Sequence, residues 1–237
     1  MRPGRHTLAG CLVAALLVTS LAVPTAAVTR GKMAIVQGNY GVRVDVCING
    51  REVKSAMPFG AKVYRILSRG TKVIKVARAA PGACKGEKLV KREIKFPGGS
   101  DLTVVITKRK PKKMLIFDNT PPAGPFLAGA HRFFRHAADI GKVTFRHEAR
   151  PLPTEPALAG EPTLYWKKGR SAYSYVTYGI GGTPMYSTTW VSRYPMLYPP
   201  EVVAGPVSSL LGSRDRYEWI LIGTGKHPRL VLLRRNY

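Results

Sequence analysis

Acidic residues are scarce in this chain of 237 residues: 13 Asp+Glu stand against 38 Lys+Arg, a formal charge of +25 at pH 7. That excess goes well beyond the net magnitude of roughly 2 to 8 that solubility asks of a small domain, and it calls for an anionic partner. Cysteine is scarcer still, at three, and no His or further Cys stands near Cys47 or Cys84 to complete a zinc site. No stretch keeps a 3.6-residue apolar period, and 24 Gly with 19 Pro are too many for a helical bundle. Catalytic signatures are missing as well: there is no G-x-S-x-G elbow, H-E-x-x-H pair, P-loop or G-x-G-x-x-G run, and the few acids are scattered rather than paired for glycoside chemistry. The expectation is a protein that is not an enzyme and takes no metal or cofactor. A hydrophobic fraction of 45% is enough to build a core, which excludes a disordered polycation.

The N-terminus sets the expected compartment. Arg2 and Arg5 precede an apolar stretch from Leu8 to Val23, and Thr25-Ala26-Ala27 offers a small-residue cleavage site, so residues 1–27 read as a secretory signal peptide. The apolar stretch covers 16 positions, short of the roughly 20 that span a bilayer, and no later segment approaches that length. An exported protein without a transmembrane segment follows, secreted or associated with the cell envelope. Leu8-Ala9-Gly10-Cys11 also resembles a lipoprotein processing box, although its apolar region follows the cysteine where processing needs it before. Removing 27 of 237 residues leaves 210 with a net charge of +23 and a single pair of cysteines, Cys47 and Cys84. An even pair in an exported chain predicts a disulfide, with two separate buried thiols as the alternative.

Along the remaining chain the period is two. In Val42 to Ile48, Val42, Val44, Val46 and Ile48 share one face while Arg43, Asp45 and Cys47 take the other, and Asn49-Gly50 predicts a type I′ hairpin. Further short runs at 62–67, 71–79, 89–96, 102–108 and 114–117 bring the expected count to about seven strands, a sandwich. A weak internal repeat accompanies them. Asn39 to Val44 resembles Asp139 to Thr144, and the strand pair at 102–119 parallels 217–236, each turning through a basic loop with Pro111 or Pro228. The chain therefore reads as an all-β protein: a module over 32–119, a Pro-rich linker over 120–130 and a second module over 131–237.

These residues resemble a known family, the secreted bacterial β-sandwich module called domain of unknown function 4397, often found in tandem. In the first copy the likeness rests on Val44-Asp45-Val46-Cys47-Ile48-Asn49-Gly50, Phe59-Gly60 and Arg69-Gly70-Thr71, and in the second on His136-Ala137-Ala138-Asp139. The first copy has Gln37-Gly38-Asn39 where the family has His-Ala, and the second offers Glu148-Ala149-Arg150 in place of the Asn-Gly turn. The resemblance implies two tandem immunoglobulin-like or transthyretin-like sandwiches after a signal peptide. It implies no activity.

Charge and aromatic content supply the candidate sites. Residues 32–126 carry 20 bases and 6 acids, against 15 and 7 in 131–237, so the first copy is the more basic. Its densest cluster, Lys108, Arg109, Lys110, Lys112 and Lys113, sits at a hairpin tip, and Lys85, Lys88, Lys91, Arg92 and Lys95 line another arm. Solvated lysines also keep edge strands from pairing with other chains, the plainer reading of each cluster alone. Residues 165–198 hold nine Tyr or Trp and no acid, and Tyr173, Tyr175, Tyr186, Trp190 and Tyr194 are the expected aromatic surface. His131, His136 and His147 lie within 17 residues, but His131 and His136 differ in strand parity and Arg132, Arg135 and Arg146 would repel a cation. His136 and Asp139 are instead expected to hold a loop by hydrogen bonds. The functional expectation is a binding module for an anionic cell-envelope or extracellular polymer. Its alternative is an adhesion module contacting a surface protein. Export and the lack of any nucleic-acid motif demote a nucleic-acid ligand.

Overall fold

The computed structural model describes residues 30–108, 113–120, 129–141, 143–151, 164–166, 171–177, 185–193, 202–211 and 215–235. Among them every regular element is a strand, and there is no helix. The first eight are β1 (Arg30–Gln37), β2 (Val44–Ile48), β3 (Arg51–Met57), β4 (Lys62–Ser68), β5 (Gly70–Arg78), β6 (Lys88–Phe96), β7 (Asp101–Ile106) and β8 (Met114–Asp118). The next eight are β9 (Gly129–His136), β10 (Val143–Pro151), β11 (Leu164–Trp166), β12 (Ser171–Thr177), β13 (Met185–Arg193), β14 (Val202–Leu211), β15 (Arg216–Thr224) and β16 (His227–Arg235).

The strands form four sheets of four, with orders β3-β2-β5-β6, β4-β1-β7-β8, β12-β9-β15-β16 and β11-β10-β13-β14. Adding eight to each number of the first two orders gives the last two, so one winding occurs twice. Its most distinctive element, a parallel pairing of the first and seventh strands, occurs as β1 with β7 and again as β9 with β15. The strand pairs likened in the sequence, 102–119 and 217–236, fall on β7-β8 and β15-β16.

Three apolar layers hold the four sheets in a stack. Met33, Ile35, Val46, Ile74, Phe96 and Val104 lie between the first outer and first inner sheets. Phe134, Phe145, Val191, Tyr217 and Trp219 do the same in the second half. The middle layer joins the halves: Ala34, Val36, Val105, Leu115 and Phe117 pack against Ile220, Ile222, Val231 and Leu233. Both inner sheets are thus covered on both faces. Their strands lose the alternation of a half-exposed strand, and all six residues of β7 are buried, as are Tyr217 to Gly223 in β15. On the exposed face of the first outer sheet, β6 keeps alternating, with Ile94 and Phe96 buried beside exposed Glu93 and Lys95.

The local chemistry explains several elements. Asn49 and Gly50 have φ of 50° and 79°, the pair of positive values a type I′ turn needs between β2 and β3. Buried Asp45 accepts hydrogen bonds from the amides of Ala56 (2.9 Å) and Ala80 (3.3 Å), which fixes an irregular stretch of β3 and the start of the loop after β5. That loop carries Cys84, disulfide-bonded to Cys47 with Cα atoms 6.3 Å apart, within the usual bridging range. At one end of the stack Tyr40 lies over His227 at 3.8 Å and edge-on to Phe59 at 5.3 Å, tying loops of the two halves together.

Where the second copy lacks the Asn-Gly turn, Glu148-Ala149-Arg150 lies within β10, which pairs with β13 over nine positions. Other expectations need correction. Pro228 lies inside β16 rather than in the loop before it, and the turn is Gly225-Lys226. A proline is tolerated there because β16 is the edge of its sheet and needs no further backbone donor on its open side. β1 begins at Arg30, ahead of the expected start at 32, and β9 begins at Gly129, inside the stretch read as linker. The expected signal peptide and most of that linker, residues 121–128, lie outside the described residues.

Candidate anion-binding surfaces

The sequence separates two clusters of cations that the fold brings together. β6 is the edge of the first outer sheet and β8 the edge of the first inner sheet, and hydrogen bonds join the two edges. Arg92 Nη1 donates to the Met114 carbonyl at 3.0 Å and Lys113 Nζ to the Leu89 carbonyl at 3.1 Å. Lys113 is therefore half-buried against β6, whereas Lys108 is exposed; Arg109, Lys110 and Lys112 lie outside the described residues. Lys85, Lys88, Lys91, Arg92 and Lys95 are all exposed. Lys91 stands directly opposite Lys75 across β5 and β6, a like-charge pair that costs folding free energy unless something negative lies nearby. Lys75 is partly engaged, donating to the Cys84 carbonyl at 2.8 Å. Glu87 pairs with Arg78, leaving Glu93 as the acid among these cations.

The aromatic stretch is divided by the fold. Tyr173 and Tyr175 lie on β12, the edge of the second inner sheet, in register with Phe133 and His131. Tyr186 and Trp190 lie on β13, inside the second outer sheet, where Trp190 is half-buried. Tyr194 is outside the described residues. Tyr173 and Tyr175 therefore lie on one sheet, and Tyr186 and Trp190 on another.

Of the three clustered histidines, the side chain of His147 lies outside the described residues. His136 is buried and its Nε2 donates to the Gly141 carbonyl at 2.9 Å, as expected of it, whereas the bond of Asp139 to the Gly223 carbonyl, at 2.7 Å, comes from its backbone amide. Among the described residues no three His, Cys, Asp or Glu side chains group as a metal site. Burial, then the charge of Arg216, lowers the pKa of His131 below its ordinary 6.5. The sign follows from linkage: as pH falls through about 6.5 the unfolded chain takes up a proton that the folded chain resists, so this residue makes stability decline in that window. His131→Gln should flatten that decline, read from urea unfolding at mildly acidic and neutral pH; an unchanged slope would reject the assignment.

Between the inner sheets lies a polar network that the sequence reading missed. Glu218 accepts hydrogen bonds from the Thr103 hydroxyl (2.5 Å), Asn119 Nδ2 (3.4 Å) and Arg135 Nε (3.4 Å). Arg135 Nη2 also donates to Asn119 Oδ1 and to the Asp118 carbonyl, both at 2.7 Å, and the guanidinium lies 4.7 Å from the Phe133 ring centre. Arg235 reaches Thr103 Oγ1 (2.5 Å) and Glu218 (3.5 Å) and pairs with Asp101, which Arg216 approaches at 3.5 Å. Burial pushes the Glu218 carboxyl up, and Arg135 with the hydrogen bonds from Thr103 and Asn119 pulls against it. One sequence signal was available: Glu218 interrupts an otherwise apolar strand, Trp219-Ile220-Leu221-Ile222 following it directly. A charge inside such a run needs a partner.

Where the edges β4 and β16 of the two inner sheets come together, a cleft of about 370 Å³ opens, lined by Lys32, Met33, Tyr64, Arg65, Ile66, Arg234 and Arg235. Lys62 closes one side by donating to the Leu232 carbonyl at 2.7 Å.

No family model and no curated protein matches the chain. Among solved structures, one from Bacteroides uniformis ATCC 8492, of a protein provisionally assigned to cell adhesion, is similar at 8% identity and a TM-score of 0.25, covering 87% of this chain and 97% of the other. Among the described residues no helix is long and apolar enough to cross a membrane.

Proposed function

We propose that the protein is an exported, non-enzymatic binding module for an anionic cell-envelope or extracellular polymer. The observation that carries this reading is the joined edge of β6 and β8, where Arg92 and Lys113, cations from two separate sequence clusters, each bond a carbonyl of the other edge. A row of exposed Lys and Arg along two abutting strand edges suits an extended polyanion better than a compact ligand, because each charge contributes little alone and the sum depends on length. Export is supported by residues 1–27 as read from the sequence and by the disulfide, which persists in oxidising compartments. The resemblance to domain of unknown function 4397 agrees with export and adds no activity.

The test is salt dependence. Binding to a polyanion displaces condensed counterions, so affinity for native envelope should fall steeply as salt rises. Replacing Lys108, Arg109, Lys110, Lys112 and Lys113 together by Ser should weaken binding and flatten the salt slope; at exposed Lys108 the change in stability should be about 0.5 kcal/mol or less. Equal affinity and equal slope for the variant, measured by co-sedimentation with purified envelope, would remove this edge from the proposal.

A further inference from the structure

The second half does not cover the whole face that the first inner sheet presents to it. Tyr64 stands opposite Ala34 and Ile66 opposite Lys32, so both belong to the face whose centre, Ala34 and Val36, is sealed between the sheets. At the rim that seal ends. Ile66 is 67% exposed and Tyr64 41%, while Met33 beneath is buried. An isoleucine and a tyrosine side by side in water at the mouth of a cleft are a place for a ligand with an apolar face.

The charges around them choose its sign. Lys32, Arg65, Arg234 and Arg235 line the cleft, and no acid does. Acids do lie behind the lining: Asp215 pairs with Arg234, and Asp101 and Glu218 pair with Arg235. Burial, then the charges of Arg216 and Arg235, lowers the pKa of Lys32. Arg65 spends two guanidinium nitrogens on the carbonyls of Tyr64 (2.9 Å) and Val53 and keeps further N–H donors of its five.

We propose that this cleft holds one acidic sugar unit, a pyranose ring bearing a carboxylate or a phosphate, with its C–H face on Tyr64 and Ile66 and its anionic group toward Lys32 and Arg65. The proposal deepens the polyanion reading and rests on it, but at a site separate from the basic edge. A volume of about 370 Å³ is at the small end of the ~300–1,000 Å³ found for compact ligands, room for a ring-sized group and not for a folded partner. Tyr64 and Ile66 cover one face of a ring; a long acyl chain would leave most of its length in water. The two sites would then divide the work, the edge gathering the polymer through its charge and the cleft recognising one of its units.

Calorimetric titration tests it with three probes: a short oligogalacturonate, a neutral galactose oligomer and glucose 6-phosphate. The wild type should bind at least one acidic probe and not the neutral one, and the acidic probe that binds identifies carboxylate or phosphate as the group. The double variant Tyr64→Ala/Ile66→Ser and the single variant Arg65→Gln should each weaken that binding about tenfold. All three residues are exposed, so the melting temperature should hold. Arg235 is left intact because it belongs to a buried ion-pair network, and Arg234 because it is the partner of buried Asp215. Equal affinity in both variants, or binding of the neutral probe as tight as the acidic one, overturns the cleft proposal. Wild-type binding of whole envelope that keeps its salt dependence in that case leaves the polyanion reading standing; loss of any envelope binding by the wild type sinks that reading instead.

Discussion

Glu218→Ala is expected to lower the unfolding free energy by about 3 to 5 kcal/mol, the cost of leaving buried Arg135 without its counter-charge and Arg235 with Asp101 alone. Arg135 and Arg235 approach the carboxylate at 3.4 and 3.5 Å, and the side chains of all three are 5% exposed or less. After truncation both guanidinium groups stay in the layer between the inner sheets, where water reaches them poorly. Thr103 and Asn119 lose an acceptor in the same step. The loss should appear as a shift of the denaturation midpoint in urea. A change under about 1 kcal/mol, the usual worth of an exposed ion pair, would mean that solvent enters this layer and that the halves do not share a core.

The same network explains why the halves pack in a fixed register. Apolar surface alone, Val105 and Leu115 against Ile220 and Val231, is non-directional and would tolerate sliding. Thr103 receives hydrogen bonds from Asn119 and Arg235 and donates to Glu218, so residues from β7, from β15 and from just past β8 and the end of β16 must meet at one point. Thr103→Val keeps the volume and removes that junction. It separates the directional contribution from the apolar one.

How far the sequence could reach follows from the same residues. The hairpin of β2 and β3 was legible because Val44, Val46 and Ile48 face one core only and Asn49-Gly50 admits one turn. Strand β1 was not, since Met33 to Gln37 are buried on both faces and show no period of two. Strand β3 was implied only by that turn, since it is almost wholly exposed at the edge of its sheet and shows no apolar period of its own. The joined cation edge needed three dimensions, because Leu89 and Lys113 are 24 residues apart. So did the cleft, whose two walls lie on β4 and β16. The cysteine pair required only composition and compartment.

Replacing both Cys47 and Cys84 by Ala should cost roughly 4 kcal/mol, from the closure of a loop of about 38 residues in the unfolded chain. In a chain of this length that corresponds to a melting temperature lower by roughly 10 °C. Alanine is the right replacement, because both sulfurs sit in a small apolar patch with Ala77 at 3% exposure or less, where a serine hydroxyl would add a second cost. The folded state also contributes. Cys84 lies in the loop after β5 that covers the outer face of β2 and β5, and besides the bridge this loop is held by Lys75 on the Cys84 carbonyl and Asp45 on the Ala80 amide. Those two bonds should keep the loop near its place, so the double variant is expected to fold and to unfold earlier rather than fail outright. Thiol titration of the unreduced wild type should find no accessible sulfhydryl from this pair, before or after denaturation. Two thiols per chain, or a double variant as stable as the wild type, would refute the bridge as a source of stability. Dithiothreitol should lower the wild-type melting temperature toward that of the variant and leave the variant unchanged, which ties the loss to the covalent bond and not to the packing of the two side chains.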